Sequence, residues 1–104
     1  MMKVIWYTRA RLRWLSTGDY IRQAFGVRAQ ETFILSTAEW IGILKQMPQA
    51  GMLEPLLTHR TKDYRSVVIN KLNKLIYFIE DNTIYRADFW DTRREPQEQA
   101  NRLK

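Results

Sequence analysis

The fold is decided by YRSVVINKLNKLIYFIEDNTIYRADFWDTRREP, the stretch from Tyr64 to Pro96. Three runs in it are rich in β-branched and aromatic residues: Tyr64 to Asn70, Lys74 to Glu80 and Thr83 to Asp91. A basic turn at Lys71-Leu72-Asn73 separates the first two, and Asp81-Asn82 separates the last two. Asp and Asn tolerate the positive φ of a two-residue hairpin loop, so the stretch reads as a three-stranded meander. Its middle strand is apolar on both faces, with Ile76 and Phe78 on one and Leu75, Tyr77 and Ile79 on the other. A helical layer covers only one of these faces, which leaves the other open to a partner unless something else lies on it. Strict alternation along the last strand turns Tyr85, Ala87 and Phe89 toward the helices and Ile84, Arg86, Asp88 and Trp90 outward. An outward Trp90 is either an anchor for a partner or a ring packed under the C-terminal tail.

Upstream, Lys3 to Tyr7 is β-branched and aromatic and reads as a first strand. Thr8 is placed to cap a helix whose buried stripe is Ala10, Trp14, Thr17, Ile21 and Phe25. Gly26 breaks it. A second helix carries Ala29, Phe33, Thr37, Trp40, Ile41, Leu44 and Met47 on one side and stops at Pro48. So short a turn makes the two helices an antiparallel hairpin. Leu12 and Leu15 fall away from the first stripe: one is expected on the second helix and the other is available to a partner. Residues 48–62 read as a loop, with an extended piece at Leu56-Leu57. Residues 96–104 are a polar tail or a short helix opened by Pro96. The fold class is therefore α+β in two layers: an N-terminal strand, a helical hairpin, then a mainly antiparallel meander packed under the helices.

A length of 104 residues allows one domain, and 45% hydrophobic residues allow it a core. The net charge of +6 suits nucleic acid, an acidic protein or an anionic surface. Arg60, Lys62, Arg65, Lys71 and Lys74 cluster around the single acid Asp63, either to protect a sheet edge or to form a binding face. The absence of cysteine excludes disulfides, thiol catalysis and cysteine-ligated zinc. No ligand-spaced His/carboxylate cluster or glycine-rich phosphate loop is present, so neither a metal nor a cofactor is expected. With no apolar run fit for a signal peptide or a membrane span, the expected location is the cytoplasm, with no membrane partner. His59, the only histidine, reads as a bystander in the loop.

The order strand, two helices, loop and meander resembles the RelE/ParE superfamily of bacterial type II toxins. The residues carrying the likeness are Tyr64-Arg65-Ser66-Val67-Val68, Lys74 to Asp81, and Phe89 to Pro96, with Ala10 through Tyr20-Ile21, Phe25-Gly26 and Met47-Pro48 through Gly51 upstream. The resemblance implies a single toxin domain over residues 1–95, encoded beside a small acidic antitoxin protein that neutralises it. Leu12, Leu15 and Ile84 are the expected partner-binding positions. It also implies one of two targets. The ParE-like branch inhibits DNA gyrase without catalytic residues. The RelE-like branch cleaves mRNA on the ribosome without metal, making the 2′-hydroxyl attack the adjacent phosphate. On the family pattern Arg65 and Arg93 are the candidate catalytic arginines, able to clamp a phosphate. Lys71, Lys74, Arg94 and Trp90 complete the expected target-binding surface. The tyrosine or His-Tyr pair that RelE-like members keep past the last strand has no counterpart in Glu95 to Gln99. Gyrase or another non-catalytic target is therefore the first expectation, and mRNA cleavage the second. A different class, a non-toxic basic nucleic-acid-binding module with Trp6 or Trp90 as stacking platforms, is the remaining alternative.

Overall fold

The computed structural model describes residues 2–58, 60–93 and 96–101. Strand β1 (Lys3–Trp6) leads into helix α1 (Thr8–Phe25) and helix α2 (Val27–Gln46). Strand β2 (Met52–Leu53) and a 3-10 turn (Pro55–Leu57) follow. Strands β3 (Arg65–Val68), β4 (Asn73–Glu80) and β5 (Thr83–Asp91) form the meander, and helix α3 (Pro96–Asn101) closes the described chain. The sheet has five strands in the order β1-β5-β4-β3-β2. Only β1 and β5 pair in parallel; the other neighbours are antiparallel.

The turns behave as their residues require. Asp81 and Asn82 take φ of 50° and 56°, which gives the two-residue hairpin. Gly26, with φ of 99°, reverses the chain between α1 and α2, a conformation that any side chain would strain. Three local expectations change. Tyr7, not Thr8, is the N-cap of α1, and no side chain caps it. The extended piece of the loop is Met52–Leu53, while Leu57 belongs to the 3-10 turn. Phe25 leaves the buried stripe and is 71% exposed.

The core has two parts, one on each face of the sheet. Under the helices Ile21, Phe33 and Leu44 meet Val67, Leu75, Tyr77, Ile84 and Phe89. On the opposite face Leu57, Tyr64, Ile76, Phe78, Ala87, Trp90 and Ala100 pack together. This second face was expected to be open; the chain's own 3-10 turn and α3 cover much of it. Trp90 is 1% exposed, so it lies under the tail and is not an anchor for a partner. Gln99 fastens α3 there, its side chain bonded to both the N–H and the C=O of Asp91 at 2.9 Å.

A β-bulge corrects the facing of β5. The ladder pairs Ile76 with Asp88 but Tyr77 with Arg86, which leaves Ala87 as an extra residue. Before the bulge Ile84 and Arg86 face the helices and Tyr85 faces away, the reverse of the expectation. After it, Phe89 faces the helices and Trp90 the other side, as expected. Ile84 is consequently 0% exposed and unavailable to a partner. Replacing Trp90 by alanine removes the largest ring of the second core. Trp90→Ala should lower unfolding free energy by about 3–5 kcal/mol, read from urea denaturation.

Candidate functional site

Among the cations expected to share one surface, Arg94 lies outside the described residues, as does His59. The other four are divided among three places. Arg65 opens β3 on the helix side of the sheet, beside Tyr77. Its Nη1 donates to the carbonyls of Gly51 at 2.7 Å and Gln49 at 3.4 Å. The Tyr77 hydroxyl accepts from Gly51 N–H at 3.0 Å and donates to the Pro48 carbonyl at 2.9 Å. The backbone comes so close that a Cβ on Gly51 would sit 2.5 Å from the Tyr77 hydroxyl oxygen, which explains the glycine. Arg65 and Tyr77 therefore hold the loop that follows α2.

Lys74 lies on the opposite face. Its Nζ donates to Glu54 at 2.9 Å and sits 5.5 Å from the centroid of the Trp90 ring. Ser66 donates to the same carboxylate oxygen at 2.8 Å. Glu54 is buried, so Lys74 supplies the charge that makes its burial tolerable.

Lys71 and Arg93 meet at one end of the sheet. Lys71 occupies the β3–β4 turn with φ of 60°. The N–H and hydroxyl of Thr92 both donate to the Leu72 carbonyl, at 2.8 and 2.9 Å, and bind that turn to the exit of β5. Arg93 donates through Nε and Nη2 to the two oxygens of Asp91, each at 3.1 Å. That pairing raises the guanidinium's pKa, so its charge is constant at any working pH. Between this end and the hairpin lies a cleft of about 690 Å³, lined by Tyr20, Phe25, Phe33, Asn70, Asn73 and Arg93 among others. Tyr20 is close enough that its phenol contributes to the raised pKa of Arg93. Nothing in the linear pattern connects Tyr20 with Arg93; the fold alone brings them together.

A second cluster was also invisible in the sequence. On the face away from the hairpin, Phe78 stacks on Tyr85 at 4.8 Å and meets Tyr64 and Tyr7 edge-on at 5.5 and 6.0 Å. Lys62 Nζ lies 4.7 Å from the Phe78 centroid and donates to Glu80 at 2.7 Å. Burial, and then the neighbouring Tyr7, raise the Tyr64 pKa, while Lys62, Arg60 and Arg9 pull it down. Tyr85 is the cross-strand partner of Phe78 on this face. Trp6, one expected stacking platform, is already occupied: the Arg86 guanidinium carbon lies 3.7 Å from its ring centroid, and Trp14 flanks it at 5.6 Å. Burial pushes the Arg86 pKa down to about 10, which leaves it charged at neutral pH.

The outer surface of the hairpin is apolar in places. Leu12 is 58% and Leu15 42% exposed, so neither is spent on packing against α2, and Ile34 and Leu35 on α2 are exposed as well. Among the described residues no group of acids and histidines is arranged to hold a metal, and no helix is long and apolar enough to cross a membrane.

The sequence matches no protein-family model and no curated protein. Solved structures do match. One is a chain of the chromosomal ParDE TA system from P. aeruginosa, with a TM-score of 0.67 and 14% identity over 88% of this chain and 96% of that one. Another is the YoeB dimer from Staphylococcus aureus, with a TM-score of 0.60 and 20% identity over 84% of this chain and 92% of that one. At these identities the likeness establishes the fold, which is RelE/ParE-like as the residue pattern led us to expect.

Two outcomes separate structural cations from surface ones. Lys74→Ala strands Glu54 in the interior. Because Lys74 is 25% exposed, the loss should fall below that of a fully buried pair, at roughly 2–3 kcal/mol in urea denaturation. Arg93→Ala should leave the midpoint unchanged, since Arg93 is solvated. Burial holds the Tyr64 and Tyr77 phenols above their ordinary pKa of about 10. Their contribution to stability is thus complete below pH ~10 and is lost as pH rises through the raised values. Thermal melts between pH 8 and 12 should show this alkaline loss, and Tyr77→Phe should flatten it.

Proposed function

We propose that this chain is the toxin of a type II toxin–antitoxin module, arresting growth through DNA gyrase or translation and neutralised by a small acidic antitoxin. The observation that carries this reading is the fold shared with a chain of the ParDE TA system and with YoeB, over nearly the full length of each. The exposed leucines of the hairpin support the antitoxin half of it. Leu15 lies one helical turn from both Leu12 and the exposed Arg11 on α1, so an amphipathic acidic segment meets apolar contacts and positive charge on one helix.

Gyrase, or another non-catalytic target, remains the first reading. Arg65 and Arg93 lie in different places, each engaged with its own neighbours, and do not clamp one phosphate. Lys71 and Arg93, exposed at one end of the sheet, are the target-contacting residues in this reading.

Ribosome-dependent mRNA cleavage is favoured by a different observation, the tyrosine cluster beside Lys62, Arg60 and Arg9. Phosphodiester cleavage by the 2′-hydroxyl needs a proton acceptor, a donor to the leaving oxygen, and cations for the phosphate. Tyr64 keeps its proton at neutral pH and would serve as the donor.

Inducible expression, with and without the neighbouring open reading frame, tests the reading. Growth arrest relieved by co-expression is expected, with supercoiling by purified gyrase inhibited and mRNA ends unchanged. Lys71→Glu combined with Arg93→Glu should relieve toxicity. Leu12→Glu combined with Leu15→Glu should keep the toxicity but lose the rescue. Newly cut messages, abolished by Tyr64→Phe, would transfer the reading to cleavage. Harmless expression of the folded protein would overturn both.

A further inference from the structure

The cleft between the hairpin and the β3–β4 turn has features beyond Arg93, the one lining residue that the gyrase reading uses. Its volume of about 690 Å³ is that of a small-molecule site, well above what core packing tolerates as a void. One wall is aromatic and apolar, built from Tyr20, Phe25 and Phe33. Phe25 and Tyr20 stand edge to face with centroids 6.5 Å apart and are exposed, an arrangement that offers ring surface without a partner in the fold. At the rim, Asp91 occupies Nε and Nη2 of Arg93 and thereby orients the guanidinium, leaving Nη1 available to an anionic oxygen.

The third feature is a polar demand. Asn70 lines the cleft, and its Oδ1 is buried with no hydrogen-bond partner among the described residues. An acceptor left so carries a desolvation cost that no hydrogen bond returns. Rotation of the carboxamide toward the cleft lets a donor on a bound molecule remove that cost. The neighbouring Asn73 is not available in the same way, since its amide already donates to the Trp90 carbonyl.

We propose that this cleft binds a nucleotide monophosphate whose base carries an exocyclic amine, with the base against Tyr20 and Phe25, the amine on Asn70 Oδ1 and the phosphate on Arg93. A flat ring suits the aromatic wall, the amine suits an acceptor with no other donor, and the dianion suits a guanidinium held in place. The site stands apart from the tyrosine cluster and does not depend on the chain being a toxin. The same chemistry is offered by a free nucleotide and by the terminal nucleotide of a strand.

Isothermal titration of the purified protein with AMP tests it. One saturable site per chain is expected. Purine riboside monophosphate, which lacks the amine, and adenosine, which lacks the phosphate, should each bind at least tenfold more weakly. Asn70→Ala and Arg93→Gln should weaken AMP binding at least tenfold. Thr32→Trp, on an exposed wall position of α2, should abolish it while the circular dichroism spectrum stays that of the parent chain. An adenosine-ended dinucleotide that binds more tightly than AMP, with the same dependence on Asn70, would assign the site to strand ends; equal or weaker binding would assign it to the free nucleotide. Absence of saturable AMP and dinucleotide binding, or binding indifferent to Thr32→Trp and Asn70→Ala, would overturn the proposal.

Discussion

Strand β4 has no polar face. Leu75, Ile76 and Tyr77 have no exposed surface at all and Phe78 almost none, so water must be kept from both sides of the same strand. The hairpin does this on one side through Phe33 and Leu44. On the other side the protein uses the 3-10 turn with Leu57 and the short helix with Ala100. Most of the remaining architecture follows from that requirement. The segment leaving α2 must travel to the second face: Arg65 and Tyr77 hold its start on the helix side, and the Glu54–Lys74 pair fixes it on the other. The chain beyond β5 must fold back over Trp90, and Gln99 fixes it.

This division of labour changes the meaning of the positive charge. Lysines and arginines on the meander look interchangeable as a set, yet their surroundings give them different work. Lys74 compensates a buried carboxylate and Arg65 holds backbone carbonyls, whereas Lys71 and Arg93 are solvated at the sheet's end. A buried charge without its partner costs several kcal/mol, while a solvated pair contributes little. Only the second kind is free for an external phosphate or carboxylate. The β5 bulge has a comparable effect. By placing Ala87 and Asp88 on one side, it lets Asp88 receive both Arg13 from α1 and the Trp90 indole N–H, and so joins the hairpin to the second core.

The main elements were legible before the structure because their signals are local. Asp81-Asn82 can adopt left-handed φ, Gly26 can reverse the chain, and Pro48 cannot continue a helix; each condition is met within a few residues. The wrong facing of Ile84 and Tyr85 has an equally definite cause. Period-two alternation assumes that every residue of β5 has a partner, and Ala87 has none. The candidate site was mostly hidden. Tyr20 and Arg93, or Tyr7 and Tyr64, belong to elements far apart in the chain, and no spacing rule relates them.

Taken by itself, the chain of residues determined the order and type of the elements, the hairpin, the meander and the RelE/ParE-like architecture they form, because propensity, turn chemistry and hydrophobic period act over short distances. Tertiary structure decided which cations are buried, which face of the sheet is closed, and which tyrosines gather beside lysine and arginine. Those outcomes depend on desolvation and on contacts between distant segments. Neither quantity exists until the strands are in register and the two cores have closed.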